Sequence, residues 1–361
     1  MNLLPPKNVS FETSAILKKL IEAHKNLAEL KGISKIIPNQ TVLINTLSIQ
    51  EALDSSEIEN IITTRDQVYI ARENTADRVT TKPAAKEVVH YSEALQTGFK
   101  AYNRRSVISL KEILEIQALL TNNDAGLRKQ SGTVLENERT KEIVYIPPEP
   151  TEIHGLMSNL IEIINDNSIW DADPLVKMAV IHFQFESIHP FYDGNGRTGR
   201  IINILYLVKE GLLDLPILYL SRFINQNKAL YYERLQGVRS RNDWESYILF
   251  MLEGVSRTAK MTTQLVNDIV SGMMTYKHKI RAEFPQMYSQ DLINTLFFYL
   301  YTKIEHIEKN LGVSYATARK YLELLHKAGF VDKMRFWKSS YYINSSLLSA
   351  LTKIEAESLK L

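Results

Sequence analysis

The residues best suited to chemistry in this 361-residue chain fall within one segment, residues 189–200, which reads HPFYDGNGRTGR. Gly194 and Gly196 permit a tight loop whose backbone N–H groups lead into the start of a helix, and this combination forms an anion-binding nest. Arg197 and Arg200 are three residues apart, so on that helix they share a face and can grip a polyphosphate with two guanidinium groups. The segment therefore predicts a site for nucleotide phosphates.

Three other side chains of the segment extend this chemistry. Asn195 can add a side-chain amide to the loop, and Asp193 supplies the hard oxygen that Mg²⁺ uses alongside substrate phosphates. His189, just before the loop, titrates near neutral pH and can take a proton from an attacking hydroxyl. The alternative is a solvated turn between two helices with two surface arginines. Five functional residue types within these twelve positions favour the chemical interpretation.

The same segment resembles the Fic motif, HxFx(D/E)GNGRxxR, at every defined position. The upstream HFQFESIHPF and the downstream LYLSRFINQNKALYYERLQ are also similar to Fic proteins, and the resemblance runs from about residue 10 into the C-terminal segment. It implies an enzyme that transfers AMP from ATP to Ser, Thr or Tyr hydroxyls of a target protein or of itself.

The resemblance also implies a role for each matching residue. His189 would be the general base, and Asp193 would hold Mg²⁺ between the α- and β-phosphates. The anion hole would be formed by Gly194, Asn195 and Gly196. The β- and γ-phosphates would be bound by Arg197 and Arg200.

Two further features have an implied role and a structural alternative. A β-hairpin near residues 140–147 corresponds to a flap that registers the target segment as an added strand. Its contact residues would be Glu142, Ile143 and Val144, and the alternative is an ordinary surface hairpin. Tyr231 and Tyr232 lie where the family often packs adenine, and the alternative for them is aromatic core.

Residues 55–60, SSEIEN, match the family's inhibitory motif (S/T)xxxE(G/N) through Ser55, Glu59 and Asn60. A glutamate aimed at Arg200 would occupy the guanidinium that should grip the γ-phosphate, and some relatives also use this glutamate to remove AMP. The alternative is a capping box at a helix start, because Ser56 and Glu59 also spell S-x-x-E.

Residues 302–343 resemble a winged helix-turn-helix, with Gly312 at the turn between two short helices. The second helix carries Thr317, Arg319 and Lys320 on its outer side. The basic residues that would suit DNA phosphates are Arg319 and Lys320 on this helix and Lys333, Arg335 and Lys338 on the wing. Such modules also serve in dimerisation or protein binding. The two alternatives for this domain are therefore binding of DNA and formation of a homodimer.

The elements that must position these residues are mainly helical. Apolar spacing predicts helices over residues 13–31, 42–53, 86–101, 110–120 and 152–166. Asp173 and Pro174 predict the start of a buried central helix that Pro190 stops, and the next helix starts near Gly196. We therefore expect a mainly α fold: a Fic-type helical core with a small β-hairpin flap, plus a C-terminal winged helix-turn-helix domain.

Four regions follow from this pattern: an N-terminal helical region with the inhibitory helix, a catalytic core, a helical linker and the winged-helix domain. Their expected ranges are 1–105, 106–255, 256–287 and 288–361.

Composition excludes several classes of function. The net charge of +2 gives no bulk attraction to nucleic acid or membrane, and the absence of cysteine excludes disulfides and thiolate chemistry. The N-terminus lacks a signal-peptide pattern and no apolar run suits a membrane span, so we expect a cytoplasmic protein. Two other functions stay open: Fic transfer of UMP or phosphate, and a DNA-binding regulator whose Fic domain senses nucleotide.

Overall fold

A computed structural model of the protein describes residues 1–37, 39–73, 82–136, 140–336 and 339–358. Its helices are α1 (Ser14–Ser34), α2 (Thr41–Ile58), α3 (Arg65–Glu73), α4 (Pro83–Arg105), α5 (Leu110–Thr121), α6 (Pro150–Asn165), α7 (Pro174–Ile188), α8 (Asn195–Lys209), α9 (Leu220–Gln226), α10 (Lys228–Arg241), α11 (Trp244–Glu283), α12 (Gln290–Phe298), α13 (Ile304–Leu311), α14 (Tyr315–Lys327) and α15 (Ser345–Ser358). Its strands are β1 (Leu135–Glu136), β2 (Ile143–Tyr145), β3 (Tyr301–Thr302), β4 (Val331–Phe336) and β5 (Ser339–Asn344). The mainly helical fold is the one predicted.

The buried helices α7 and α8 pack together and carry the segment 189–200 between and within them. Asp173 caps α7 by accepting a hydrogen bond from the Leu175 N–H at 2.8 Å, and nearly every following residue of the helix is buried. The helix ends where His189 takes a left-handed conformation (φ 48°, ψ 60°) before Pro190. Gly194, with φ 78°, then turns the chain into α8, which starts one residue before the predicted position.

Helix α2 is longer than the sequence pattern predicts, and α3 was not predicted. The predicted range of α2 ended at Leu53, but the helix continues to Ile58 and so includes Ser55 and Ser56. In the additional turn Asp54, Ser55 and Ser56 are polar but buried, whereas Glu57 is exposed. Periodicity of apolar residues could not indicate a buried polar turn.

The hairpin of β1 and β2 is short and antiparallel. Leu135 pairs with Tyr145, and Glu136 pairs with Ile143. Glu142 precedes β2, and the turn residues 137–139 lie outside the described part of the chain.

Helix α11 has 40 residues, which corresponds to about 60 Å at 1.5 Å per residue. It packs along α1 and also against α7 and α9, and it continues without a break into the C-terminal region. The expected boundary between core and linker at residues 255 and 256 therefore falls inside one continuous helix.

The C-terminal region contains the predicted helices and the two predicted strands, and it adds β3 and α15, which were not predicted. Its three strands form one sheet in the order β3–β5–β4. Gly312 adopts a φ of 66° at the turn, and Ser314 caps α14 by accepting a hydrogen bond from the Thr317 N–H at 3.3 Å. Lys338 lies outside the described residues. Assignment to the winged-helix class stays a prediction.

The C-terminal region also touches the helices that precede the catalytic core. The Asn45 amide on α2 donates to the Phe298 carbonyl at 2.7 Å, and the rings of Tyr69 and Tyr301 stack 5.0 Å apart. The first contact holds the start of α2 and the second holds α3 against the C-terminal region. No helix among the described residues combines the length and apolar composition needed to cross a membrane.

Candidate active site

His189 is held at the end of α7 by a residue that sequence reasoning missed, Arg128. The Arg128 guanidinium donates to the His189 carbonyl at 2.8 Å, to the Ile188 carbonyl at 3.4 Å and to the carbonyl of Pro148. Its backbone N–H donates to the Pro190 carbonyl at 2.9 Å. Arg128 thus satisfies carbonyls that the end of a helix leaves unpaired, and it ties the segment after the flap to the same point.

The His189 imidazole is neutral at physiological pH. Burial, with the charge of Arg128 as a smaller contribution, lowers the pKa of His189 to about 4. Within the described residues its buried Nδ1 atom has no hydrogen-bond partner. A neutral imidazole can accept a proton, so this state suits a general base.

The loop between His189 and α8 is braced from within by Asn195. The Asn195 side chain accepts from the Phe191 N–H and donates to the Phe191 carbonyl, both at 2.9 Å. These two hydrogen bonds of the amide satisfy the backbone of its own buried loop. A contribution of Asn195 to an anion hole stays a prediction.

The start of α8 leaves backbone donors for an anion. The first bond inside the helix runs from the Thr198 N–H to the Gly194 carbonyl at 2.9 Å. The preceding N–H groups of Asn195, Gly196 and Arg197 consequently have no acceptor within the helix. The Gly194 N–H instead donates to Asp193 Oδ1 at 2.6 Å.

Asp193 presents a carboxylate to solvent at the edge of this nest, with its side chain 73% exposed. Its Oδ2 atom lies 3.5 Å from the Arg197 guanidinium. Among the described residues no group of three or more His, Cys, Asp or Glu side chains could hold a metal ion. A lone exposed carboxylate does fit Mg²⁺, which is commonly held by one or two carboxylates together with water and substrate phosphates.

Arg197 is buried and pairs with a second carboxylate. Its guanidinium donates to Glu87 on α4 at 3.1 Å, and Glu87 is a contact that sequence reasoning did not identify. The pairing fixes Arg197 at the mouth of the nest beside Asp193.

Arg200 is engaged by the end of α2. Its guanidinium donates to the Ser55 hydroxyl at 2.8 Å, to the Ser55 carbonyl at 2.9 Å and to the Glu59 carboxylate at 2.8 Å. Although burial opposes ionisation, the charge and hydrogen bond of Arg200 lower the pKa of Glu59 below its usual range. The sequence-predicted residues Ser55, Glu59 and Arg200 therefore lie together in one ion-paired cluster.

Glu59 also lies directly over the nest. A Cβ atom added at Gly196 would overlap the Glu59 carboxylate oxygen. The capping-box alternative is wrong, because Ser56 and Glu59 lie at the end of α2 and not at a helix start. Asn60 ends the turn in a left-handed conformation (φ 60°) and accepts a hydrogen bond from Lys228 at 3.2 Å.

The two tyrosines expected near adenine differ in placement. Tyr231 is buried, and its hydroxyl lies 2.7 Å from His182 Nε2, so its position corresponds to the aromatic-core alternative. Tyr232 is 46% exposed, and contact with adenine stays a prediction for this residue alone.

The flap carries exposed apolar side chains beside an ordered aromatic anchor. Ile143 is 57% exposed and Val144 is 39% exposed, and their contact with a target segment stays a prediction. Tyr145 is held under the Arg239 guanidinium, whose central carbon lies 4.0 Å from the ring centroid. Glu142 is exposed at the start of the strand.

A buried titratable cluster lies behind Arg200 and includes Glu186, which sequence reasoning missed. Burial raises the pKa of Glu186 to about 7, and within the described residues its Oε1 atom has no hydrogen-bond partner. Burial and the charge of Arg200 lower the pKa of His182 to about 3. A Cβ atom at Gly199 would crowd the Glu186 carboxylate at 2.8 Å, so this glycine makes room for it.

Three protein-family profiles match the chain in succession. They are the Fic/DOC family N-terminal domain over residues 17–100, the Fic/DOC family domain over residues 107–207, and the C-terminal domain described as "Protein adenylyltransferase SoFic-like" over residues 273–347. The chain therefore belongs to the Fic/DOC family. Within that family it carries the C-terminal domain of the SoFic-like kind.

Curated relatives are similar over part of their length. The chain is 28% identical to the protein adenylyltransferase Fic of Aedes aegypti over 158 residues, which are 43% of this chain and 29% of that protein. It is 28% identical to a probable protein adenylyltransferase of Aquifex aeolicus over 190 residues, which are 50% of this chain and 54% of that protein. The chain thus spans between about a third and a half of these relatives.

Solved structures support the fold. A Fic family protein from Desulfovibrio desulfuricans matches with a TM-score of 0.58 and 21% identity, covering 95% of this chain and 98% of that chain. Residues 134–508 of Fic-1 from Caenorhabditis elegans match with a TM-score of 0.52 and 18% identity, covering 69% and 73% of the two chains.

Proposed function

We propose that the protein is an adenylyltransferase that transfers AMP from ATP to a Ser, Thr or Tyr hydroxyl of a protein. The observation that carries this proposal is a neutral His189 placed directly before a nest of backbone donors and two arginines. A site that only bound phosphate would need no base. The names of the similar proteins and the description of the C-terminal profile support the same activity.

The proposed reaction is an in-line displacement at the α-phosphorus. The target oxygen forms a bond to the α-phosphorus, its proton passes to His189, and the bond from the α-phosphorus to the bridging oxygen breaks. Arg197, Arg200 and the backbone N–H groups at the start of α8 stabilise the charge on the leaving pyrophosphate. Mg²⁺ held by Asp193 would neutralise phosphate charge when it is bound.

The same proposal includes an intrinsic inhibitor, Glu59. Its carboxylate accepts a hydrogen bond from the Arg200 guanidinium and lies against Gly196. It would therefore compete with a nucleotide phosphate for the same donors. ATP could bind with its terminal phosphate displaced, which would leave the α-phosphate out of line for attack. Removal of AMP by water that Glu59 orients is a second role for the same carboxylate.

The test compares transfer of label from ATP carrying it on the α- or the γ-phosphate. The proteins are wild type, Glu59→Gly, His189→Ala and the control Glu57→Gln, which removes an exposed charge from the last turn of α2 and keeps an oxygen for the hydrogen bond from Asn225. We expect α-label on protein, increased by Glu59→Gly, unchanged by Glu57→Gln and reduced about 10²- to 10⁴-fold by His189→Ala.

Other outcomes would redirect the assignment. Transfer of γ-label would make the protein a kinase of this fold. Transfer of label from UTP in preference to ATP would make it a uridylyltransferase. No transfer in any variant, with cell lysate supplied as target, would contradict the enzymatic proposal. Label on the purified protein alone would identify self-modification.

A second candidate function is DNA binding by the C-terminal region. Arg319 and Lys320 are exposed side by side on α14, and Arg335 is exposed on β4. A gel shift with random duplex at low salt, repeated with the double variant Arg319→Ala and Lys320→Ala, tests it. Loss of the shift in the variant and a steep salt dependence would support phosphate contacts. A homodimer and a cytoplasmic location also stay predictions.

A further inference from the structure

A cavity of about 1010 Å³ borders the flap at Tyr145. Its walls are the N-terminal segment up to Asn8, one side of α7 near its end, the last turn of α10 and Tyr145 of β2. None of the residues discussed above as phosphate donors lines it. It is therefore a separate compartment beside the strand that would receive a target segment.

The N-terminal wall of the cavity is fixed by hydrogen bonds. The Gln184 amide on α7 donates to the Asn2 carbonyl at 2.9 Å. Asn159 on α6 accepts from the Leu4 N–H at 2.7 Å and donates to the Leu4 carbonyl at 3.1 Å. The segment thus bridges two helices of the core, so the cavity is a built feature of the fold.

The charged residues that line the cavity are all cationic. They are Lys7, Arg239 and Arg241, and the described lining contains no aspartate or glutamate. Asp243 is close in sequence but is occupied as the cap of α11, where it accepts from the Ser246 N–H at 3.3 Å. A concave site lined by one sign of charge attracts ligands of the opposite sign.

Arg239 connects the cavity with the flap and with the end of α7. It stacks on Tyr145 and donates to the Ser187 hydroxyl at 3.3 Å. Ser187 precedes His189 by two residues. A chain segment paired with β2 and reaching past Tyr145 would therefore carry its flanking side chains into the cavity while its hydroxyl stays near His189.

We infer that this cavity binds acidic side chains that flank the modified hydroxyl, so that the preferred target is an acidic protein segment. The inference rests on the proposed function, because it deepens the choice of substrate for the same site. Charge complementarity selects this occupant, and the exposed Ile143 and Val144 supply apolar contacts next to it.

Direct binding tests the inference without requiring catalysis. The probes are a fluorescein-labelled peptide, Glu-Glu-Val-Tyr-Val-Glu-Glu, and its counterpart with every Glu replaced by Gln. We expect anisotropy titrations at low salt to give about tenfold tighter binding of the acidic peptide. The double variant Lys7→Ala and Arg241→Ala should bind both peptides alike.

The matched control is Arg234→Ala, which removes a cation from the same helix outside the cavity. It should keep the preference for the acidic peptide. Equal affinity of wild type for the two peptides would overturn the inference, and so would equal losses in Arg234→Ala and in the double variant. Weaker ATP binding in the double variant, with displacement of the peptide by ATP, would assign the cavity to nucleotide and overturn it as well.

Transfer assays separate this inference from the proposed function. In the Glu59→Gly background, Arg241→Ala should raise the KM for the acidic peptide about fivefold and leave kcat unchanged. Transfer that proceeds equally well on both peptides would contradict the inference and leave the enzymatic proposal standing. Tighter binding of the acidic peptide without any label transfer would support the inference and contradict the enzymatic proposal.

Discussion

The Glu59 carboxylate accepts a hydrogen bond from the Arg200 guanidinium at 2.8 Å, although the two residues are 141 positions apart in the chain. Ser55 takes two further donors of the same guanidinium through its hydroxyl and its carbonyl. Three N–H donors of Arg200 are therefore engaged by α2 and the turn after it before any ligand arrives. The behaviour of the site depends on how readily that arrangement opens.

The first prediction concerns affinity for nucleotide. Glu59→Gln keeps the shape of the side chain and removes its charge, so ATP should bind about tenfold more tightly, because a charged hydrogen bond contributes roughly 1.5–3 kcal/mol. Isothermal titration calorimetry with ATP and Mg²⁺ measures the change. Glu57→Gln serves as the control, and an unchanged Kd in Glu59→Gln would show that the ion pair does not compete with phosphate.

The second prediction concerns the pH dependence of transfer. Because the pKa of His189 is lowered to about 4, the base is already neutral at pH 6. In the Glu59→Gly background the rate should rise through an acid limb near that pKa and stay level between about pH 6 and 8. Stopped assays from about pH 4 to 8 with saturating ATP provide the profile. An acid limb near pH 6.5 would mean that His189 titrates as an exposed histidine.

The third prediction concerns the close approach of the Glu59 carboxylate to Gly196. Gly196→Ala places a methyl group against the Glu59 carboxylate, so it should lower the free energy of unfolding by about 1–3 kcal/mol through overpacking. In the Glu59→Gly background the same change should cost much less. Chemical denaturation of the four proteins of this cycle gives the coupling energy, and additive effects would place the carboxylate elsewhere.

The fourth prediction concerns Glu186 and stability. With its pKa raised to about 7, the folded protein binds this proton more tightly than the unfolded chain does. The side chain therefore costs stability as the pH rises from its unfolded value toward 8. Glu186→Gln should raise Tm at pH 8, where the free energy of unfolding should increase by at most ~3 kcal/mol. At pH 5 it should change Tm little. Calorimetry showing a larger gain at pH 5 would contradict the assignment.

The fifth prediction concerns Arg128 as a positioning residue. Arg128→Lys keeps the charge but lacks the planar guanidinium fork whose separate nitrogens reach the three carbonyls, so it should lower kcat more than it raises the KM for ATP. Arg128→Ala should also lower the free energy of unfolding by about 2–4 kcal/mol, because buried carbonyls lose their donor. Transfer kinetics beside thermal melts distinguish the two effects. Parallel losses of kcat and Tm in Arg128→Lys would indicate a purely structural role.

Much of the site could be predicted from sequence because its parts are adjacent in the chain. The order of His189, the Gly194 loop and the two arginines follows from local helix and turn chemistry, and the structure places all of them around one helix start. The pairing of Glu59 with Arg200 could not be predicted from periodicity. It came from the family resemblance, and the structure brings the two residues together.

The remaining features depend on contacts that spacing does not reveal. Arg128 is a lone basic residue in an irregular stretch, and its importance comes from carbonyls about 60 residues later. Glu87 and Glu186 are ordinary helical glutamates until the fold sets them beside Arg197 and behind Arg200. The Asn195 amide turned inward because the buried loop had an N–H and a carbonyl of Phe191 to satisfy.

The fixed position of α2 determines how strongly Glu59 competes for Arg200. The helix is held near its start by Asn45 and Phe298, and near its end Asp54 accepts hydrogen bonds from Asn225 at 3.0 Å and from Arg222 at 3.3 Å. Glu59 is thus a tethered ligand whose effective concentration at Arg200 is set by the rigidity of its support, and not by its intrinsic affinity alone. A partner or modification that loosened either end of α2 would dilute this internal ligand without touching the nest. The nucleotide concentration required for activity would then fall in the same proportion.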